Sequence, residues 1–287
     1  MVGAWRERLL GVWSEPDGLV AWLRAQAAPL GELSSDGWRY LALAERDVPR
    51  PYNYRWLLPK LAGKDRRRWA QATNMSLFAM VPLMRWHTGR WGPGLFLFGL
   101  EGVWGHSRRY PVTTDATAMA GAILAAAATR HRRWELAVAA SLVAGATKES
   151  APVFAALYAW NPLPLVGLLS PVVRQFAEEG ADITDDFSHQ CVIDPYRCAW
   201  QVHGGTLGDA KRWIAPWGAL LAGLADPSAQ TVATLGAGYV QCVRAVDTAR
   251  LYQWAWPVLA ERTVEAAGPW WPLLLLGHLL NPRREAR

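Results

Sequence analysis

Cysteine is nearly absent: Cys191, Cys198 and Cys242 are the only three in 287 residues. So sparse and odd a set does not build a disulfide framework. Charge is also thin, at 19% of residues, below the usual quarter of a soluble domain. Arg6, Glu7, Arg8, Glu15, Asp17 and Arg24 interrupt every early apolar run, so residues 1–30 are not expected to be a secretory signal. The phosphate-cradling Gly-x-x-x-x-Gly-Lys-Ser/Thr loop, Gly-x-Gly-x-x-Gly and Gly-x-Ser-x-Gly are all missing. Nucleotide-driven transport and serine hydrolysis thereby lose their usual signatures. The net charge, 30 − 24 = +6, sits in short clusters between long apolar stretches. It forms no single basic face, so nucleic acid is not an expected partner and anionic lipid is the better match. His189, Cys191, Cys198 and His203 do not follow a common zinc spacing, and no metal site is assigned to them. The acidic stretch Asp182–Asp186 reads as a solvated loop.

Hydrophobic residues, by contrast, make up 52%, and tryptophan is abundant at 18. Many tryptophans adjoin arginine: Arg55-Trp56, Arg68-Trp69, Arg85-Trp86, Arg90-Trp91, Arg133-Trp134 and Arg212-Trp213. An indole beside a cation suits the lipid headgroup interface, where the ring is amphipathic and the cation meets phosphate. A mean hydropathy of +0.01 is low for a multispan protein, so the competing reading is a soluble, Trp-rich helical core.

Along the chain, residues 3–30 read as two short amphipathic helices broken at Pro16. Ser34-Ser35-Asp36 precedes the run Gly37–Ala44, a helix start. Residues 47–68 read as a loop with an interfacial helix at Trp56–Ala62. Thr73–Met84 and Gly92–Trp104 are short candidate spans; Tyr110–Thr129 is longer, with Asp115 its only charge. Residues 136–173 hold only Lys148 and Glu149 as charges, enough apolar length for two spans. Trp213–Ala225, Gln230–Val243, Leu251–Ala260 and Pro269–Leu280 follow. Ala, Gly and Ser in many of them allow close helix packing in lipid.

The Arg130–Arg133 turn lies between two strong spans and is expected on the cytoplasmic side. Asp36, Asp115 and the Lys148-Glu149 pair then share the opposite face, as does the basic cluster at 64–68, against the positive-inside trend. Ionisable groups in or beside apolar spans are costly and therefore functional candidates. They are Asp115, Lys148, Glu149, Asp247 and Arg250, with Asp36 in the first polar loop. Two structural alternatives stand beside this: Asp36 as a helix cap, and Lys148 as the partner of Asp115 between two spans.

The string Asp36-Gly-Trp-Arg-Tyr-Leu-Ala-Leu-Ala-Glu45, followed by Tyr52-Asn-Tyr-Arg-Trp-Leu-Leu-Pro59, resembles the first outer loop of the type-C class of multispan glycosyltransferases. Tyr110-Pro-Val-Thr-Thr-Asp115 is similar to a later outer loop of that class, and Thr147-Lys-Glu-Ser150 to its Lys/Arg-Glu turn. Asp247-Thr-Ala-Arg-Leu-Tyr-Gln-Trp-Ala-Trp-Pro257 is similar to a late Arg-and-Pro element. Residues 1–33 supply no span ahead of that first loop, so the resemblance is to a reduced or divergent member. It implies transfer of a sugar from a polyprenyl-phosphate donor. Asp36 would be the catalytic base on the acceptor hydroxyl, or would orient a divalent cation. Arg55, Lys148 and Arg250 would meet the phosphate leaving group, with Asp115 and Glu149 lining the substrate site.

The expectation is therefore an all-α protein: a polytopic transmembrane helical bundle with short, broken spans and an interfacial N-terminal helical segment. Residues 1–72 would form the amphipathic and interfacial part with the first outer loop, and 73–287 the multispan domain. The expected partners are the bilayer of the plasma membrane and a polyprenyl-phosphate-linked sugar, acting on the non-cytoplasmic face. A non-catalytic membrane scaffold or modulator is the alternative.

Overall fold

A computed structural model describes residues 33–43, 55–171, 214–243 and 252–280, and for residues 35, 36, 215, 216, 242 and 243 the backbone alone. The elements are helical, and no strand occurs among the described residues. The protein is all-α. The amphipathic segment at 3–30, Asp247, Arg250, the His189–His203 set and the 182–186 stretch lie outside the described residues.

Helix α1 (Ser35–Ala42) begins where the serine-rich start predicts, but the capping residue is Ser34, whose Oγ accepts from the Gly37 amide at 3.1 Å. Asp36 is thus inside the first turn and is not the cap. Helix α2 (Leu57–Ala62) coincides with the helix expected over Trp56–Ala62. Helix α3 (Arg66–Thr88) runs unbroken across residue 72, capped by Asp65, whose Oδ1 accepts from the amide of Arg67. The expected span over 92–104 is instead broken into α4 (Gly92–Leu95), a 3₁₀ turn (Phe96–Gly99), a π turn (Glu101–Gly105) and α5 (His106–Arg109).

The centre of the fold is an antiparallel hairpin. Helix α6 (Asp115–Arg130) and α7 (Trp134–Thr147) are joined by the tight Arg130–Arg133 turn, with Arg132 at φ 55°. Alanine dominates both, which lets the backbones approach closely. Helix α8 (Ala151–Ala159) and the 3₁₀ segment Leu163–Leu168 fold back on them. That return is tight, since a Cβ at Gly167 would lie 2.2 Å from the Ser141 carbonyl oxygen. The 3₁₀ segment Ala215–Leu224, α9 (Ala229–Val243), the turn Gln253–Ala255, α10 (Trp256–Ala267) and α11 (Trp271–Leu279) complete the bundle. Trp217, Trp254, Trp256 and Phe154 fill its core.

The bundle has two chemically different ends. The start of α3 meets the start of α6, where Thr73 Oγ1 donates to the Pro111 carbonyl at 2.7 Å. At the other end Trp86 stacks on His131, and Arg130 pairs with Glu261 of α10 at 2.9 Å.

Among the described residues, no helix is long and apolar enough to cross a membrane. At 1.5 Å per residue, α6 and α7 rise only ~24 and ~21 Å, against a hydrocarbon layer of ~30 Å. Helix α3 has 23 residues but carries Arg, Gln and Asn in its first half.

Candidate functional site

At the end remote from the Arg130–Arg133 turn, the hairpin brings opposite charges together. Asp115 is the first residue of α6, where the helix dipole favours a carboxylate. Lys148 is the C-cap of α7, where the dipole favours a cation. Because the helices are antiparallel, these two termini are neighbours, and Lys148 Nζ donates to Asp115 Oδ1. Both side chains are nearly removed from solvent, at 4% and 8% exposure. Thr113 Oγ1 donates to the second oxygen of Asp115 at 3.1 Å. The Lys148 ammonium also lies 5.4 Å from the ring centroid of Trp254, a cation–π contact.

Glu149 follows in the turn before α8 and faces Arg55. Arg55 Nε and Nη2 donate to its two oxygens at 2.9 and 2.7 Å, a bidentate fork. Arg55 Nη1 donates to the Tyr40 hydroxyl at 2.7 Å, and Tyr40 Oη is 3.2 Å from Thr114 Oγ1. Burial opposes ionisation of Glu149, but the charge and hydrogen bonds of Arg55 and the nearby Lys148 hold its carboxyl below the usual carboxylate range. Burial likewise disfavours the Arg55 cation, yet Glu149 and Tyr40 outweigh it and raise its pKa further.

Four of the six expected site residues therefore meet: Arg55, Asp115, Lys148 and Glu149. They form a neutral quartet of two cations and two carboxylates, mostly buried, with solvent reaching chiefly Glu149 at 32% exposure. The arrangement is one of paired charges, and for Lys148 the structural alternative, a bond to Asp115 between two helices, is what the geometry shows. Asp36 stands one turn before Tyr40 in α1, and Tyr40 docks that helix on the quartet. Arg250 lies outside the described residues.

Selecting residues by charge missed the neutral members. Tyr40, Thr113, Thr114 and Trp254 complete the cluster, and all four stand within the strings quoted above. Gln253, beside Trp254, accepts from the Gly102 amide at 2.7 Å and so ties the π turn to the cluster's far wall. Among the described residues no three His, Cys, Asp or Glu groups are placed to hold one metal ion. No family model, curated protein or solved structure matches this chain.

Proposed function

We propose that this chain is a membrane glycosyltransferase-like protein that moves a sugar from a polyprenyl-phosphate donor to a surface acceptor on the non-cytoplasmic face. One observation carries the reading. The five strings on which the resemblance rests are scattered between residues 36 and 257, yet each sends a side chain into one cluster. Tyr40, Arg55, Thr113 to Asp115, Lys148 with Glu149, and Trp254 are in mutual contact through the bonds described above. Strings that matched by chance have no reason to converge.

The bundle would sit in the bilayer as short, broken spans. Val143, Val232, Val240, Leu273 and Leu276 are large apolar side chains left exposed along its helices, as a lipid-facing wall requires. The ~24 Å of α6 separates a charged cluster from an arginine turn, close enough to ~30 Å for Arg and Trp to snorkel at the ends.

In the reaction the acceptor oxygen bonds to the anomeric carbon, and its proton passes to Asp36. The anomeric carbon–oxygen bond to phosphate breaks, its electron pair leaving on the polyprenyl phosphate. Arg55 and Lys148 supply positive charge beside that leaving group. The test uses membranes containing the protein, incubated with polyprenyl-phosphate hexoses and scored for sugar transfer. Asp36→Asn removes the base while keeping side-chain size; the expected outcome is lost transfer with unchanged expression. Full activity in that variant would end the assignment of Asp36.

A second reading is a non-catalytic membrane scaffold. The observation favouring it is that both cations of the quartet already face carboxylates. Absence of transfer from every polyprenyl-phosphate hexose by the unaltered protein would put this reading first.

A further inference from the structure

We propose that an apolar groove beside the C-terminal half of α3 holds one acyl chain of an anionic phospholipid whose phosphate is bound by Arg85 and Arg90. The inference rests on the membrane part of the reading above and is independent of sugar transfer. The groove opens beside the middle of the bundle, between α3, the Leu95–Phe98 segment and α11, with a volume of about 390 Å³. Arg85 on α3 and Arg90 just past its C-cap follow it toward the end opposite the quartet. Phe78, Val81, Pro82, Phe98, Leu275 and Leu279 line it.

On α3 these residues continue a single stripe. Phe78, Val81 and Pro82 are spaced i, i+3 and i+4, and Arg85 is the next residue on that face, one turn further on. The stripe therefore changes from apolar to cationic as it reaches the exposed rim. Arg85 and Arg90 are both exposed, and neither pairs with a carboxylate among the described residues. Of the carboxylates at this end, Glu261 is taken by Arg130 and Glu265 by Arg262, at 2.9 and 3.0 Å. Glu135 and Asp226 stand on other elements, at the start of α7 and just before α9.

The chemistry selects the occupant. An extended peptide laid in so apolar a groove would leave its amides and carbonyls without partners, at a cost of several kcal/mol each in an apolar medium. An acyl chain has no such groups, and its phosphate headgroup answers the two arginines. Trp91 and Trp270 are 55% and 68% exposed at the same end, and the Trp271 ring packs against Gly92. That sets indoles at the headgroup level, where they are favoured.

The test titrates delipidated protein in detergent with phosphatidylglycerol or phosphatidylcholine of equal chain length, read by native mass spectrometry. Phosphatidylglycerol is expected to bind at least about tenfold tighter, since only it carries net negative charge. The double variant R85Q/R90Q should weaken it about thirtyfold, two headgroup cations being lost. The same variant should leave phosphatidylcholine binding and lipid-free melting unchanged. Leu279→Trp, which fills the groove, should weaken both lipids. Equal binding of the two lipids by the unaltered protein would overturn the proposal. So would undiminished phosphatidylglycerol binding in either variant, displacement by inorganic phosphate at equal concentration, or a co-purifying polypeptide that blocks the lipid. Release from membranes by alkaline wash without detergent would instead remove the membrane reading. In that case dihexanoyl phosphatidylglycerol in aqueous buffer tests the groove, and its failure to bind would overturn the site as well.

Discussion

Removing Lys148 should cost more than removing any single surface charge in this protein. Lys148→Met keeps the apolar stem but takes the cation away from the Asp115 carboxylate, 8% exposed, to which Thr113 Oγ1 also donates. Breaking a buried pair from one side costs about 3–5 kcal/mol because a charge is stranded. In a chain of this size that lowers the melting temperature by roughly 6–15 °C. Asp115→Asn is expected to cost less, roughly 1.5–3 kcal/mol. Lys148 then keeps a neutral acceptor, the negative end of α7 and the Trp254 ring at 5.4 Å. The double variant Lys148→Met/Asp115→Asn strands no charge and should be at least about 2 kcal/mol more stable than the sum of the two singles predicts. Thermal unfolding followed by circular dichroism in mild detergent measures all four proteins. Singles that add within about 0.5 kcal/mol, or a Lys148→Met cost below about 1 kcal/mol, would refute the buried-pair account.

Glu149 gives a pH signature. Its folded pKa is depressed, so its contribution is present above the ordinary carboxylate pKa and is lost as pH falls through the lowered folded value. Melting of the unaltered protein should therefore weaken toward acid more steeply than melting of Glu149→Gln, and identical acid limbs would contradict the Arg55 pairing. Gly167→Ala places a Cβ 2.2 Å from the Ser141 carbonyl oxygen and should destabilise by roughly 1–3 kcal/mol. Gly236→Ala in α9 meets nothing within 4 Å and should be neutral or stabilise by roughly 0.5–1 kcal/mol; the reverse order on thermal melts would show the α7 packing to be wrong. For topology, Arg109→Cys at the quartet end should react with a membrane-impermeant thiol reagent in intact cells, whereas Arg133→Cys should not. The opposite pattern would turn the site to the cytoplasm.

The hairpin at the centre was legible because charge punctuates it. Asp115 opens one alanine-rich run, Lys148 closes the next, and the arginine turn separates them, so antiparallel packing places the two charges together. The 92–104 segment was not legible as a broken chain. Apolar side chains there suggest one span, but its backbone is shaped by close contacts: a Cβ at Gly99 would lie 1.8 Å from the His278 ring. Such a partner, 179 positions away in sequence, leaves no local signal. The described part of the 213–225 segment is interrupted at Gly218, whose φ of 51° leaves the right-handed helical region. Trp69 shows the limit of the Arg-Trp pattern. It is fully buried, stacked on Tyr40 and donating to the Gly63 carbonyl at 2.9 Å, because burial depends on which helix face it occupies rather than on its neighbour in sequence. In the cluster itself charge identified Asp115, Lys148 and Glu149, and the resemblance added Arg55. The hydroxyls of Tyr40, Thr113 and Thr114 became visible only with the fold, since polar neutral residues are common everywhere along a chain.

The claim that matters most is that the quartet end receives a lipid-linked phosphate. A polyprenyl phosphate bearing a diazirine near its phosphate, photolysed with the protein in native membranes and mapped by peptide mass spectrometry, tests this directly. Crosslinks should fall on residues 36–43, 55–60, 110–115, 147–154 and 252–257, be displaced by unlabelled polyprenyl phosphate, and weaken at least about tenfold in Arg55→Gln, a loss of ~1.4 kcal/mol. Crosslinks spread evenly along the chain, undisplaced by competitor, would contradict it.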